Sequence, residues 1–163
     1  MSRRCFMKKF VVFILFMVLP LIGGKISAFI SGNMSAEYVN MIQPVYSPPG
    51  YVFPIVWIIL YLLMGFGSWL VYQKAIKQNT NPENYLRPYG IQLALNYLWS
   101  PVFFGIGAFW VGSWLAIALA AAVLWMIIVF SHISKLAAYL QIPYLLWALF
   151  ACYLSFGVAL LNS

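Results

Sequence analysis

The chain of 163 residues is 65% hydrophobic and only 7% charged, whereas soluble domains are about 45–50% apolar and about 25% charged. That balance excludes a water-soluble globular domain: a core of this size cannot hide so much apolar surface, but lipid can cover it. The net charge of +7 would point to nucleic acid on a soluble protein; here the basic residues lie in short connections, where they report topology.

A spanning helix needs about 20 mostly apolar residues, and the sequence predicts five, over residues 9–29, 51–72, 88–107, 111–133 and 136–161. The fold class expected is therefore an all-α membrane protein, a five-transmembrane-helix bundle forming a single domain over residues 1–163. The first segment, MSRRCFMKKFVVFILFMVLPLIGGKISAF, has a basic start, an apolar middle and small residues at Ser27 and Ala28. That pattern fits a secretory signal peptide as well as a first span. The next connection ends in QPVYSPPGYVFPIVW. Pro48 and Pro49 hold the residues before them extended, Gly50 permits a turn, and Pro54 falls in the first turn of the second helix, where its missing N–H costs little. The segment reads as a stiff lid, with Tyr46 pointing inward and Trp57 one turn below.

The polar stretch QKAIKQNTNPENYLR joins the second and third helices, and the remaining connections are short, so the last three helices form tight antiparallel hairpins. Arg3, Arg4, Lys8, Lys9, Lys74, Lys77, Arg87 and Lys135 then share one side, against Lys25 alone on the other. By the positive-inside rule the N-terminus is cytoplasmic and the C-terminus outside, and a bacterial cell membrane is expected.

The acidic residues are Glu37 and Glu83, both in connections. No carboxylate lies in a span, which argues against coupled transport through a buried acid and against paired-acid catalysis. No glycine-rich phosphate loop or metal-ligand cluster occurs. Cys5, Cys152 and His132 cannot build a structural zinc site, so no metal is expected. Cys5 lies in the basic N-terminal segment and Cys152 in an apolar helix, so no disulfide is expected either. His132 reads as an interfacial residue.

In the third helix Gln92, Asn96 and Ser100 recur every four residues, on one face. A polar face cannot meet lipid. It either bonds neighbouring helices, at about 0.6–2 kcal/mol per bond, or orients a ligand in an apolar pocket; Trp99 and Phe103 flank it. The second helix carries Trp57, Tyr61, Gly65 and Ser68 at three- and four-residue steps, and the fifth Tyr144, Trp147, Ala151 and Ser155. These stripes serve packing or frame a flat apolar guest. Pro101 and Pro143 free backbone carbonyls, which need partners nearby. Small pairs at Gly90/Ala94, Ala108/Gly112 and Ala118/Ala122 permit close helix contact within a bundle or a dimer.

Three ordered blocks, QPVYSPPG, QLALNYLWSPVFFG and IPYLLWALFACYLS, resemble the loop, third-helix and fifth-helix motifs of the translocator protein / tryptophan-rich sensory protein (TspO/MBR) family, across residues 38–161. The resemblance implies a five-helix bundle, often a homodimer, with a ligand cavity closed by the first loop. It implies a tetrapyrrole ligand such as protoporphyrin or haem, held without a covalent bond. Some members bind sterols or benzodiazepine-type and isoquinoline drugs, and light-dependent porphyrin breakdown has been attributed to others. The ligand-binding positions it implies are Tyr46 and Pro49 in the loop and Trp57 in the second helix. Asn96, Trp99 and Phe103 follow in the third, Trp114 in the fourth, and Trp147, Ala151 and Cys152 in the fifth. Trp57 and Trp147 match the tryptophans linked with the photochemistry and are the candidates for any catalytic role. The chain departs from the pattern: the loop lysine is Gln43, its tryptophan is Tyr46, and the upstream Trp-Tyr pair reads Glu37-Tyr38. A fourth-helix aspartate is missing, and LSFGVALLN lacks the tyrosine and basic residue of the sterol motif. The function expected is an integral membrane tetrapyrrole-binding sensor or regulator. The alternatives are a light- and oxygen-dependent porphyrin-degrading enzyme and a porphyrin or lipid transporter.

Overall fold

The computed structural model describes residues 3–32 and 34–162, and its elements are all helical. They are α1 (Arg3–Ile30), α2 (Met34–Asn40), α3 (Val52–Lys77) and α4 (Glu83–Ser100), which runs on into a π turn over Pro101–Gly105, then α5 (Phe109–Ile133), α6 (Lys135–Tyr139) and α7 (Ile142–Asn162). Four stretches are long and apolar enough to cross a membrane: Lys9–Ile30, Val52–Lys77, Phe109–Ile133 and Lys135–Asn162. The side chain of Cys5 lies outside the described residues, and Cys152 is a free thiol.

The expected boundaries shift in several places, three of them with a physical cause in the sequence. The second helix continues past residue 72 to Lys77, because the polar residues that end the apolar run are good helix formers. The third begins at Glu83, before Pro88, which sits inside it; the Glu83 N–H donates to Asn81 Oδ1 at 3.0 Å, a turn that starts the helix ahead of its apolar pattern. The fifth is broken. Ser134 is extended and its Oγ accepts from Ala137 N. Pro143, with no N–H to donate, stops α6 from running into α7. The break places the Gln141 side chain so that Nε2 donates to Leu63 O on α3 and Ala137 O on α6, both at 3.3 Å.

α1 packs on α3 and α4, α5 on α4 and α7, and α6 and α7 return to α3, so the long helices close a ring. Its core is Leu60, Met64 and Val71 of α3, Leu93 of α4, Val123, Met126 and Phe130 of α5 and Tyr144 of α7. Large apolar side chains on the outer faces, such as Phe10 and Leu15 on α1, Ile58 on α3 and Leu146 on α7, are exposed. That is a surface made for lipid.

Two prolines inside the helices shape how α1 meets its neighbours. Pro101 cannot donate to the Tyr97 carbonyl; Ser27 Oγ donates to that oxygen instead, at 2.7 Å. Pro20 likewise frees the Phe16 carbonyl, and Gly65 of α3 stands against it so closely that a Cβ would collide with that oxygen. Ser31 and Ser100 share a hydrogen bond of 2.7 Å, and Tyr97 Oη donates to Leu19 O at 3.0 Å. α1 is thus docked through small residues and carbonyls together with the rings of Phe13 and Phe16, which pack on Trp69, Tyr72 and Tyr89. Ser27→Ala would leave the Tyr97 carbonyl without a partner and is expected to lower unfolding free energy in detergent by about 1–2 kcal/mol, whereas Ser27→Thr should hold it. Equal stability of the alanine variant in a denaturation series would show that the carbonyl does not depend on Ser27.

Candidate functional site

The polar face of α4 reaches the centre of the ring. Tyr61 Oη donates to Asn96 Oδ1 at 2.8 Å, Asn96 Nδ2 to Tyr144 Oη at 3.0 Å, and Tyr144 Oη to Gln92 Oε1 at 2.8 Å. Gln92 Nε2 ends the chain on Met64 Sδ at 3.6 Å. Asn96 and Gln92 therefore bond α3 and α7, which is the interhelical reading of their spacing. Asn96 still keeps one lone pair and one N–H unused by these bonds. Ser100 leaves the face, because two four-residue steps rotate it by about 80° from Gln92, and it meets Ser31 instead. Trp57 covers the network, stacked on Tyr61 at 5.4 Å and edge-on to Tyr144 at 6.1 Å.

A cavity opens on the loop side of this layer. Tyr38, Met41 and Gln43 roof it, Phe53 of α3 and Trp99, Phe103 and Phe104 of α4 and its π turn wall it, and Ala151, Leu154, Ser155 and Val158 of α7 close it. The π turn arises where Pro101 interrupts the ladder; Ile106 N then bonds Pro101 O at 3.0 Å. The widened turn gathers the rings: Trp99 stacks on Phe103 at 5.3 Å, and Phe104 stands edge-on to both. Gly112 of α5 makes room under Phe103, since a Cβ there would collide with the ring. The space left is ≈ 30 Å³, the scale of a water molecule, where ligand pockets take about 300–1,000 Å³. The cavity is too small for a ligand of that size.

The roof is fastened to α7. Asn162 Nδ2 donates to Ile42 O and Asn162 Oδ1 accepts from Ile42 N, both at 2.9 Å. Tyr153 Oη donates to Val45 O, and Pro44 sits against Gly157, where a Cβ would collide with its ring. Within the loop, Tyr38 Oη donates to Pro48 O and Gln43 Nε2 to Tyr38 O, each at 2.6 Å. Burial pushes the Tyr38 phenol up from its ordinary range, against a smaller lowering by the Ser47 hydroxyl.

Of the residues expected at a site, the cavity brings together Trp99, Phe103 and Ala151. Asn96 and Trp57 form the layer beneath it. Trp147 stands behind Phe53, with ring centroids 5.8 Å apart, and half-buried Cys152 is outside the lining. Pro49 is exposed, its carbonyl accepting from Val52 N at 3.0 Å at the start of α3. Trp114 is 63% exposed on the outer side of α5, against Phe156 at 5.6 Å. Tyr46 does not point inward: it is 85% exposed. A turn closed by Ser47 N on Pro44 O places Tyr46 at its third position with φ 67°, and this turn carries the ring out of the lid. His132 is exposed in the last turn of α5. Among the described residues no group of His, Cys, Asp or Glu could hold a metal ion.

The lining residues not anticipated are Tyr38, Met41, Gln43, Phe53, Phe104, Leu154 and Val158. Leu154 and Val158 follow Ala151 at three and seven residues, so continuing the α7 face would have found them. Met41 and Phe53 leave no such signal, because only the fold-back of the loop brings them in.

A model of the TspO/MBR family matches residues 16–161. The chain is 34% identical over 142 residues to the tryptophan-rich protein TspO of Archaeoglobus fulgidus, covering 87% of this chain and 90% of that protein. It is 36% identical over 131 residues to the tryptophan-rich sensory protein of Cereibacter sphaeroides, covering 77% and 76%. It is 36% identical over 138 residues to the translocator protein of Homo sapiens, covering 81% and 78%.

The network allows a graded test. Tyr61→Phe removes one hydrogen bond and is expected to cost about 1 kcal/mol; Tyr144→Phe removes the hydroxyl that serves both Asn96 and Gln92 and is expected to cost about 2–3 kcal/mol. Equal losses in unfolding free energy would mean that the two tyrosines do not differ as the bonds say.

Proposed function

The chain belongs to the TspO/MBR family, and from that premise we propose that it is a tetrapyrrole-binding sensor or regulator of the membrane, taking porphyrin or haem between the first loop and α7. The observation that carries this reading is the Trp99–Phe103–Phe104 cluster lying under a loop that side-chain contacts hold shut. Flat apolar guests gain most against aromatic walls, and the free lone pair and N–H of Asn96 lie one layer below. A cavity of ≈ 30 Å³ admits such a guest only when the loop leaves α7. Occupancy and loop position are then linked, so a ligand that binds the open form shifts the population of loop states. That is the property a sensor needs and a simple scaffold lacks.

The reading includes α4 as a fifth span. Its polar residues face inward, Gln92 and Asn96 being buried, while Ile91 and Leu98 are exposed outward. With α1 and α5 on either side, lipid meets only its apolar edge. Five spans place the basic N-terminus and the α3–α4 connection on the cytoplasmic side and the loop and C-terminus outside. Gly90, where an added Cβ would meet open space, and exposed Ala94 one turn on offer a small-residue step at which a second copy could pack.

Titration of the purified protein with protoporphyrin should quench tryptophan fluorescence to saturation, and Ala151→Trp, which fills the cavity, should weaken binding by tenfold or more at unchanged helicity. Unchanged affinity in that variant places the ligand elsewhere, and no saturable quenching in the wild type ends the tetrapyrrole reading. Asn162→Ala removes both bonds to Ile42 and so favours the open loop. It is expected to speed porphyrin association in stopped flow by roughly fivefold to thirtyfold; an unchanged rate would show that these bonds do not gate entry.

A further inference from the structure

A second cleft lies at the end of the bundle away from the first loop. Lys9 of α1 and Leu70, Gln73, Lys74, Ile76 and Lys77 of α3 line it, around a space of ≈ 340 Å³. That volume falls in the range of about 300–1,000 Å³ taken by ligand sites. Leu70, Gln73, Lys74 and Lys77 follow one another at three, four and seven residues, so they share one face of α3. α1 packs on α3 and brings Lys9 to the same cleft. Among the described residues the lining holds no carboxylate. Glu83, the acid at this end of the bundle, begins α4 and stands outside it. Lys74 and Lys77 belong to the last turn of α3, where the helix dipole favours positive charge. That accounts for the two lysines of α3 and not for the third, which comes from α1. Topology asks for basic residues on one side of the membrane; it does not ask that two helices bring them to one cleft. A cleft lined by one sign of charge concentrates the opposite ion.

The level of the cleft identifies what carries that ion. The apolar stretches of α1 and α3 run over Lys9–Ile30 and Val52–Lys77, so Lys9 and Lys77 stand where both reach the membrane surface. Phe13 and Trp69, edge-on at 5.1 Å, lie just inside that level, where aromatic rings meet a headgroup layer. Leu70 is about 10 Å nearer the membrane centre than Lys77. The cleft is therefore charged at its outer end and apolar at its inner end, and lysine stems lie along apolar surface while their ammonium groups reach outward. A water-soluble anion would occupy only the outer part. An amphiphile with an anionic head occupies both.

We propose that this cleft is a binding site for an anionic phospholipid. Lys9, Lys74 and Lys77 supply the field that holds the phosphate, the Gln73 amide donates to a headgroup oxygen, and Leu70 and Ile76 meet the first carbons of the acyl chains. A choline lipid is disfavoured, because its own ammonium offsets the phosphate and meets three like charges. The site does not depend on the tetrapyrrole reading.

The test uses the full chain, freed of lipid in a non-ionic detergent and titrated with dioleoyl phosphatidylglycerol or dioleoyl phosphatidylcholine, with bound lipid counted by native mass spectrometry. Phosphatidylglycerol should bind roughly tenfold to hundredfold more tightly, and added salt should shrink the preference. Lys9→Gln, Lys74→Gln and Lys77→Gln should each cut it by about threefold to fivefold, and the three together should abolish it. Arginine at all three positions keeps the charge and should keep the preference, which separates lost binding from lost folding. Arg87 and Lys135 are exposed at the same end of the bundle, outside the cleft. Changing both to Gln should leave the preference within about twofold. If that pair matters as much as Lys9 and Lys74 together, diffuse surface charge holds the lipid and the site fails. A preference that survives the triple glutamine variant, or none in the wild type, also overturns it. Glycerol phosphate in roughly hundredfold excess should leave the lipid bound, because it cannot fill the apolar end; displacement would show a site for free phosphate and overturn the lipid assignment.

Discussion

A single carboxamide, Asn96, holds α3, α4 and α7 in register, taking a hydrogen bond from Tyr61 and giving one to Tyr144. In lipid the helices have no hydrophobic reason to associate, since hydrocarbon tails are as apolar as leucine. Packing and polar contacts must therefore decide which faces meet. The Asn96 layer does so at the depth where Trp57 lies across it. What stands on the loop side of that layer is the aromatic cavity; what stands on the other side is the Met64, Val71 and Phe130 core. The network is the floor on which the site is built, and its position on α4 sets the position of Trp99 and Phe103 one and two turns further on.

The same constraint explains how the prolines are used. Each one withdraws a donor from a backbone that has no water to turn to. Pro101 does this to the Tyr97 carbonyl, and α1 supplies Ser27 in reply. Its second consequence is the π turn, which brings Phe103 and Phe104 to within 5.1 Å of each other. One residue thereby both docks α1 and shapes the cavity wall. Pro143 makes the break that lets Gln141 reach the α3 backbone.

The parts legible in the sequence are those with a local period. Apolar length marked the long helices, and the four-residue polar step marked the inner face of α4, because both depend only on where side chains leave a helix. The step failed at Ser100 for the same geometric reason, since 3.6 residues per turn does not keep a four-residue repeat on one line. Tyr46 and Trp114 lie away from the cavity for another. A motif position says which residue occurs, while a positive φ at residue 46 and the rotation of α5 decide where its ring goes. Met41 and Phe53 enter the lining only because Asn162, Tyr153 and Gly157 draw the loop onto α7, contacts made across more than a hundred residues of chain.

Hydrogen-bond pairing sorts the polar groups of this bundle more sharply than their residue types do. Asn96, Gln92 and Tyr144 resemble ligand-binding groups by composition, yet they are matched within the fold. Ser68, Trp69, Tyr89, Trp99, Gln141 and Ser155 each keep one buried polar atom without a partner, and of these Trp99 and Ser155 line the cavity. Pairing therefore marks the contacts that hold the bundle: the Asn96 layer, the Ser27 bond to Tyr97 O and the Gln141 bonds to α3 and α6.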